Sequence, residues 1–435
     1  MALGVVENFI GEYEREIDYW DATARTVRGL LETELSSSGL RAIVTSRAKS
    51  VDRLREKVRG RNRSKRYRSV SQIRRDIADL AGVRVAMYFP GQMDEAERVI
   101  NAALTVHEVK RFPAPSGSTV PGADHGGPGR RFSGYGARHF RVSIPESRLS
   151  AGQERYASAV VEVQVASVLM HAWSEVEHDL VYKPLEGELS AAEHALLDQL
   201  NGLVLAGEIA LEQLQRAGDV RVAAAKTPLR NHYELAEFLR THLSALGEDL
   251  TDTTLGRVDV LFEFLAEENE ATAASVETYL DRLELDFERR PVAEQLADLM
   301  LSGDEARYKA YLRAMAASRH TANRPSRLAT GIDDDSARTL AVGEFIAAWV
   351  LLETQLRRLG LSAQAKFAPL AMQLRLLVER ELITAEEFGE LSKKRRLRNE
   401  VLHGGAEEVL PERLHEAAVW LRNLSETIDR NATQD

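Results

Sequence analysis

The stretch AVVEVQVASVLMHAWSEVEHDLVYKP, residues 159–184, decides how the first half of the chain folds. Valines alternate with polar residues in the period-two pattern of a half-buried strand: Val161, Glu162, Val163, Gln164 and Val165. A helix then follows, because apolar residues recur at helical spacing: Leu169, Trp173, Val176 and Leu180. The carboxylate of Glu162 is therefore expected on a rigid strand, facing away from the core. Magnesium binding is the leading interpretation of a carboxylate in that position.

Composition limits the classes of protein that this chain could be. Its 435 residues are 44% hydrophobic, enough for two or three domains with cores of their own. It contains no cysteine, which excludes disulfides and thiolate zinc sites. The sequence lacks a signal-peptide pattern at its start, and no run approaches the roughly 18 apolar residues of a membrane span. We therefore expect a cytoplasmic protein without a membrane partner.

The positive charge is concentrated in one segment. Residues 41–75 contain 14 Lys or Arg against two acids, Asp52 and Glu56, although the whole chain has a net charge of −10. Such a distribution predicts a basic surface on an acidic body, as a binder of polyphosphate or nucleic acid would need. A solvated helical face is the alternative explanation.

Periodicity predicts an α/β first half and a helical second half. A helix over residues 2–40 precedes a turn at TSRAKS and a basic helix, and strands are predicted at 83–89, 107–112, 138–144 and 160–165. Residues 113–129 are rich in Gly and Pro and are expected to form a loop. The fold class is thus α+β, with a mixed sheet of four or five strands flanked by helices and an all-α C-terminal half.

Four motifs, in order and spacing, resemble the RelA/SpoT-type alarmone synthetase domain. They are SRAKS with Lys57 eight residues after Lys49, DLAGVR, GYGARH, and VEVQVASVLMHAWSEVEHDLVYK. The resemblance covers roughly residues 5–220. It implies a nucleotidyltransferase-like fold and the transfer of pyrophosphate from ATP to the ribose 3′-hydroxyl of GDP or GTP, giving (p)ppGpp, the alarmone of the stringent response.

The same resemblance implies roles for particular residues. Asp79 and Glu162 match the two acidic positions: Asp79 would hold Mg²⁺, and Glu162 would share the metal or accept the 3′-hydroxyl proton. Basic residues match the ATP site: Arg47 and Arg84 on the adenine, Lys49 and Lys57 on the phosphates. Acceptor contacts match Tyr135, which would stack on the base, His139 beside its phosphates, and Gln164.

The chain also departs from the family pattern. Ala166-Ser167 replaces an Arg-Thr pair that many relatives carry, which weakens any inference about the acceptor. Because only about 45 residues precede Arg47, we expect no hydrolase domain and thus a synthetase-only member. His171 and Glu175 lie four residues apart on the helix, but we interpret that helix as structural and not as a metal site.

The C-terminal half has a second motif. Arg398-Asn399-x-x-x-His403 resembles the RN-x-x-x-H motif of HEPN-type helical domains, some of which cleave RNA while others only dimerise or bind partners. We predict a synthetase domain at 1–220, a helical middle region at 221–317, a linker at 318–338 and a HEPN-like bundle at 339–435.

Other functions remain open at this stage. The same active site could make (p)ppApp or pyrophosphorylate tRNA, as a toxic synthetase of a toxin–antitoxin or anti-phage system. The C-terminal half would then regulate the enzyme or act as an RNase. The sequence does not decide between GDP, GTP, ATP and tRNA as acceptor, and it leaves a homo-oligomer open.

Overall fold

The computed structural model describes residues 4–77, 79–112, 136–150, 152–181, 189–224, 228–246, 254–280, 283, 290–321, 332–359, 376–405 and 409–432. The chain divides into two compact units, Met1–Ala224 and Ala225–Asp435. The first combines a sheet with helices, and the second is helical throughout its described residues apart from one isolated β-bridge, Pro228 to Thr272. The predicted fold class is confirmed.

The first unit is built on a five-stranded mixed sheet. Its strands are β1 (Ala42–Ala48), β2 (Ala81–Met87), β3 (Thr105–Phe112), β4 (Ala137–Ser143) and β5 (Val161–Ser167), in the order β1-β2-β5-β4-β3. The central pair, β2 and β5, is parallel, and every other pair is antiparallel. Its helices are α1 (Val5–Ser37), α2 (Val51–Lys65), α3 (Val70–Asp76), α4 (Met93–Ala103), α5 (Val168–Val181) and α6 (Ala191–Ala224).

One face of this sheet is apolar and the other polar. The valines of β5 are fully buried, as their alternation predicted, and they share one core with residues of α1, α4 and the neighbouring strands. This core includes Phe9, Tyr13, Val83, Val85 and Phe140. The residues between them in the strands point away from the core, so the sheet presents a row of polar side chains on its second face.

Strand β1 was not predicted. The sequence around TSRAKS suggested a turn before the basic helix, but residues 42–48 pair with β2 over the whole strand. The reason lies in its position at the edge of the sheet, where only Val44 is buried and the apolar alternation of a central strand is missing. The predicted apolar stripe on α5 is also only partly correct, since Trp173 is buried whereas Val176 and Leu180 are exposed.

The second unit consists of helices. They are α7 (His232–Leu246), α8 (Val258–Glu267), α9 (Ala273–Leu280), α10 (Val292–Leu301), α11 (Glu305–Thr321), α12 (Ile332–Arg358), α13 (Ala385–Glu400) and α14 (Pro411–Ala432), with a π-helical turn at Val401–Gly405. The predicted linker, 318–338, is helical at both described ends, and 322–331 lie outside the described residues.

Within the described residues, one segment is long and apolar enough to cross a membrane, whereas the sequence had led us to expect no such span. This segment is Ala337–Arg358, within α12. Core helices of globular proteins meet the same criterion. Phe345, Trp349 and Leu352 of this helix are buried inside the unit, as is the carboxylate-bearing Glu353, which accepts a hydrogen bond from the Trp349 indole at 2.8 Å. These contacts favour a core helix.

Candidate active site

The polar face of the sheet brings most of the predicted site residues together. Strand register places Arg47, Gly82, Glu162 and Arg141 in one row across four strands. Arg84, Gln164 and His139 occupy the next row. Directly paired residues of neighbouring strands lie on the same face, so residues from β1, β2, β4 and β5 share one surface.

Asp79 lies two residues before β2 and is held by two lysines. Its Oδ2 atom accepts hydrogen bonds from the Lys49 Nζ at 2.5 Å and the Lys57 Nζ at 2.6 Å. Burial acts to raise the pKa of Asp79, but the charges of Lys57 and Lys49 outweigh it and lower the pKa to about 2. Burial conversely lowers the pKa of Lys57, despite the attraction of Asp79. The three side chains form a compact charged cluster.

The second oxygen of Asp79 is an acceptor without a donor. The Oδ1 atom is buried and has no hydrogen-bond partner within the described part of the chain. Leaving a buried carboxylate oxygen unpaired is costly. A divalent cation or a water bound to one would satisfy this atom, so Asp79 fits the Mg²⁺ ligand that the sequence predicted.

Glu162 has a different set of partners. Its Oε2 atom accepts a hydrogen bond from the Gln164 Nε2 at 2.9 Å, and its Oε1 atom lies 3.8 Å from the His139 Nδ1. Burial and the negative charge of Asp79 both act to raise the pKa of Glu162, but His139 and Gln164 outweigh them and the pKa lies below its ordinary value. Glu162 is therefore ionised at neutral pH, and the hydrogen bond from Gln164 orients its carboxylate.

The four basic residues differ in their surroundings. Lys49 precedes α2 and Lys57 lies within it, so both reach Asp79 from one side. Arg47 is exposed on β1. Arg84 is ion-paired with Glu175 of α5, a partner that the sequence did not identify for it. Helix α5 is further attached to the sheet through the His171 Nε2, 3.2 Å from the Val85 carbonyl.

Two predicted features remain untested by this geometry. Tyr135, proposed to stack on the acceptor base, lies outside the described residues, as does the predicted loop 113–129.

Within the described residues no cluster of three or more His, Asp or Glu side chains could hold a metal by protein ligands alone. Mg²⁺ is usually bound through one or two carboxylates together with substrate phosphates and water molecules.

Tyr13 is a residue of the site that the sequence did not indicate. It belongs to the apolar stripe of α1 and is fully buried, yet its hydroxyl donates to the Lys49 carbonyl at 2.6 Å and lies 3.1 Å from the Leu80 carbonyl. One carbonyl belongs to Lys49 itself, and the other belongs to Leu80, the residue after Asp79. A tyrosine at a core position gives no signal in the sequence that its hydroxyl fixes a neighbouring site.

The Arg398 and His403 pair lies in the second unit. Arg398 is only 2% exposed and bonds the Asp298 carboxylate, Asn399 and the Tyr308 hydroxyl, the last at 2.7 Å. His403 places its Nε2 3.4 Å from the same Asp298 carboxylate. The motif residues thus do come together, around the Asp298 carboxylate, whose side chain is 20% exposed. A guanidinium so enclosed favours a structural role over contact with an RNA backbone.

Comparison with known proteins supports a synthetase domain in the first unit. Residues 46–186 match the family model described as "Region found in RelA / SpoT proteins". This range contains Arg47, Lys49, Lys57, Asp79 and Glu162. No curated protein matches the chain.

Solved structures with some likeness to this chain include small alarmone synthetases and a GTP pyrophosphokinase family protein. Small alarmone synthetase 1 of Bacillus subtilis, bound to its product pppGpp, is 18% identical, with 48% of this chain and 98% of that chain covered and a TM-score of 0.36. A GTP pyrophosphokinase family protein from Streptococcus pneumoniae is 18% identical (48% and 93% covered, TM-score 0.35). Small alarmone synthetase 2 of B. subtilis is also 18% identical (48% and 98% covered, TM-score 0.33). The assignment of the domain rests on the family match and on the site geometry.

Proposed function

We propose that residues 1–220 transfer the β,γ-pyrophosphate of ATP to the ribose 3′-hydroxyl of GDP or GTP, giving (p)ppGpp and AMP. In this reaction the 3′-oxygen attacks the β-phosphorus, the bond between the α,β-bridging oxygen and the β-phosphorus breaks, and AMP leaves. The observation that carries the proposal is the pairing of Asp79 with Lys49 and Lys57 beside the separately ionised Glu162.

Two lysines supply positive charge for the phosphates of ATP. Lys49 and Lys57 are already gathered on one carboxylate oxygen, so they present their remaining N–H donors toward the same region. Phosphate transfer depends on positioned positive charge that is in place before the reaction begins. The two lysines are therefore assigned to the triphosphate, and Arg47 and Arg84 to the adenine, where a planar guanidinium can stack.

A magnesium ion would be held at the Oδ1 atom of Asp79, with Glu162 as a second carboxylate. When bound, the ion would neutralise charge on the phosphates of ATP. Asp79 would hold it through the oxygen that the lysines leave unoccupied. The low pKa of Asp79, about 2, keeps this ligand ionised at any working pH.

Glu162 is assigned to the acceptor. An ionised carboxylate, oriented by Gln164 and next to His139, can accept the proton of the 3′-hydroxyl as that oxygen attacks. The donor side of the site lies on Asp79, Lys49 and Lys57, and the acceptor side on Glu162, His139 and Gln164. The proposed stacking of Tyr135 on the acceptor base would add to this side.

An acceptor screen tests the proposal. The purified chain is incubated with Mg²⁺ and γ-labelled ATP, and GDP, GTP, ADP and deacylated tRNA are offered separately. Label on GDP or GTP supports an alarmone synthetase. If only ADP or tRNA is labelled, the proposed donor site stays and the proposed acceptor is wrong. If none of the four is labelled, the proposed transfer reaction is contradicted.

The metal assignment has its own readout, which does not depend on turnover. Mn²⁺ binding in the presence of a non-hydrolysable ATP analogue can be followed by electron paramagnetic resonance. Asp79→Asn is expected to remove the tight Mn²⁺ component, and Glu162→Gln to weaken it. Unchanged Mn²⁺ binding in Asp79→Asn would place the metal elsewhere.

A further inference from the structure

The basic segment, residues 41–75, separates into cations that are paired and cations that are not. Several are engaged by acids of α1 or by Asp76: Arg55 by Glu14, Arg59 by Glu7, Arg74 by Glu12 and Glu16, and Arg61 and Lys65 by Asp76. These pairs attach α2 and α3 to the rest of the fold. The predicted basic surface is thus smaller than the sequence suggested.

Three of the remaining arginines line one groove. Arg66, Arg68 and Arg75 are exposed, and none of their guanidinium groups has a carboxylate partner within the part of the chain that the structure describes. The groove has a volume of about 610 Å³, and its other lining residues are Lys65, Tyr67, Gln72 and Asp76. Asp76 already accepts hydrogen bonds from Lys65, Arg61 and the Tyr67 hydroxyl, so its negative charge is matched within the fold. The groove therefore carries a strong net positive charge.

The backbone that carries these arginines is fixed by side-chain hydrogen bonds. The Tyr67 amide donates to the Asn62 Oδ1 at 2.8 Å, and the Arg68 amide donates to the Gln72 Oε1 at 2.7 Å. The Ser69 hydroxyl accepts from the Gln72 amide at the start of α3. Arg66 and Arg68 therefore lie in an ordered connection between α2 and α3, and Arg75 lies in α3 itself. A backbone that is ordered before binding lowers the entropic cost of binding a ligand.

Arg66 has an unusual backbone conformation. It ends α2 with a φ of 48°, in the left-handed region that favours glycine or asparagine. A strained non-glycine residue is a reason to ask what its side chain contributes. Here the side chain is a guanidinium that faces the groove together with Arg68 and Arg75.

We propose that this groove binds the phosphate backbone of a single nucleic-acid strand. Guanidinium groups bind phosphate oxygens through paired N–H donors. The groove is open, so a small anion would be poorly enclosed, whereas a strand with one phosphate per nucleotide can contact all three arginines at once. None of its lining residues belongs to the proposed catalytic set, so this binding goes beyond the transfer reaction.

Fluorescence anisotropy with a labelled oligouridine, measured on the full chain over a series of salt concentrations, tests this proposal. The test variant is Arg66→Gly/Arg68→Gln/Arg75→Gln, in which glycine suits the backbone at residue 66 and preserves the helix end. The matched control is Arg15→Gln/Arg25→Gln/Arg28→Gln, which removes the same charge from exposed positions of α1. Circular dichroism and thermal unfolding verify that both variants fold.

The groove variant is expected to bind oligouridine at least about tenfold more weakly, while the control stays within about twofold of wild type. The slope of log affinity against log salt should fall by about 2, since about 0.7 counterions are released per phosphate contact on a single strand. Equal losses in both variants, or no loss in the groove variant, would overturn the proposal. So would displacement of the RNA by tripolyphosphate at equal phosphate concentration, which would define a small-anion site.

The binding measurement is independent of the transfer reaction. No turnover is needed to measure anisotropy, and pyrophosphate transfer to a small acceptor is expected to be unchanged in the groove variant. If the binding test fails, the proposed transfer reaction is unaffected. If the acceptor screen fails, the proposal that the groove binds a nucleic-acid strand is unaffected.

Discussion

The hydroxyl of Tyr13 donates a hydrogen bond of 2.6 Å to the main-chain carbonyl of Lys49, from a side chain that is fully buried in the core of the first unit. The Leu80 carbonyl lies 3.1 Å from the same hydroxyl and also accepts from the Lys49 amide at 3.0 Å. Helix α1 thus fixes two chain segments, one carrying Lys49 and the other Asp79, whose side chains contact each other. The core and the candidate active site are connected through one hydroxyl group.

Tyr13→Phe is therefore expected to reduce kcat/KM for ATP by about tenfold, which corresponds to roughly 1.4 kcal/mol and to the loss of one buried hydrogen bond. Tyr19→Phe is the matched control, because Tyr19 lies on the same helix and its hydroxyl donates to the Arg155 carbonyl at 3.0 Å. Steady-state kinetics and thermal unfolding are measured for both. Equal kinetic effects in the two variants would show that Tyr13 acts only through stability.

The Asp79 cluster predicts how stability depends on pH. The pKa of Asp79 is about 2 in the folded chain, below its ordinary value of 3.8, so the folded state is stabilised above about pH 4 and this contribution disappears as the pH falls toward 2. Asp79→Asn should cost about 2 kcal/mol at pH 7. This is less than the roughly 3–5 kcal/mol of fully buried pairs, because the Lys49 and Lys57 side chains are 22% and 32% exposed.

Thermal unfolding at pH 7 and below pH 4 measures this dependence. The difference between the thermal unfolding midpoints of wild type and Asp79→Asn should be smaller below pH 4 than at pH 7. Asp52→Asn is the control, since the Asp52 side chain is 90% exposed in its pair with Arg55, and we expect little difference at either pH. A constant gap between wild type and Asp79→Asn across this range would contradict the low pKa.

The Arg84–Glu175 ion pair predicts an effect on ATP binding. Glu175 orients the guanidinium that we assign to the adenine, so Glu175→Gln should raise KM for ATP by about two- to fivefold and leave kcat nearly unchanged. Arg84→Lys keeps the charge but loses the planar group, and its effect on KM should be larger. A lower KM in Glu175→Gln would mean instead that Glu175 competes with the nucleotide for Arg84.

The enclosed Arg398 predicts a stability effect in the second unit. Arg398→Met leaves Asp298 with fewer partners in the interior and should lower the free energy of unfolding of that unit by about 3 kcal/mol or more. Arg396→Met, at an exposed position of the same helix, should change it little. Urea unfolding followed by tryptophan fluorescence, with Trp349 buried near Glu353, measures both variants. Equal stability of the two would favour a role of Arg398 in binding instead.

Much of the first unit could be predicted because its signals are local in sequence. The alternation in β5 gave the buried valines and the outward Glu162, and the motifs gave Asp79, Lys49 and Lys57, which the structure brings into contact. Gln164 lies two residues from Glu162 on a strand, so its hydrogen bond follows from strand geometry. The helical class of the second unit was also predicted, but the polar, aperiodic residues 318–338 were interpreted as a linker, and α11 and α12 occupy its described ends.

The remainder depends on contacts between distant parts of the chain. Edge strand β1 carries little buried apolar surface, so its pattern resembles a turn. Three cations of the basic segment, Arg55, Arg59 and Arg74, are paired with acids of α1 that lie more than 40 residues away. Arg398 bonds Asp298, a hundred residues earlier. No periodicity within one segment reports such pairs, so the sequence overstated the free positive charge and the accessibility of the RN-x-x-x-H motif.

In the proposed function, Asp79 and Glu162 act together in the transfer of pyrophosphate from ATP. The most direct measurement is the initial rate of label transfer from γ-labelled ATP to GDP in Mg²⁺, compared among wild type, Asp79→Asn and Glu162→Gln, with circular dichroism showing that all three are folded. We predict labelled guanosine product from wild type and a rate at least about a thousandfold lower in each variant. A folded variant that keeps the wild-type rate would contradict the roles assigned to these two carboxylates.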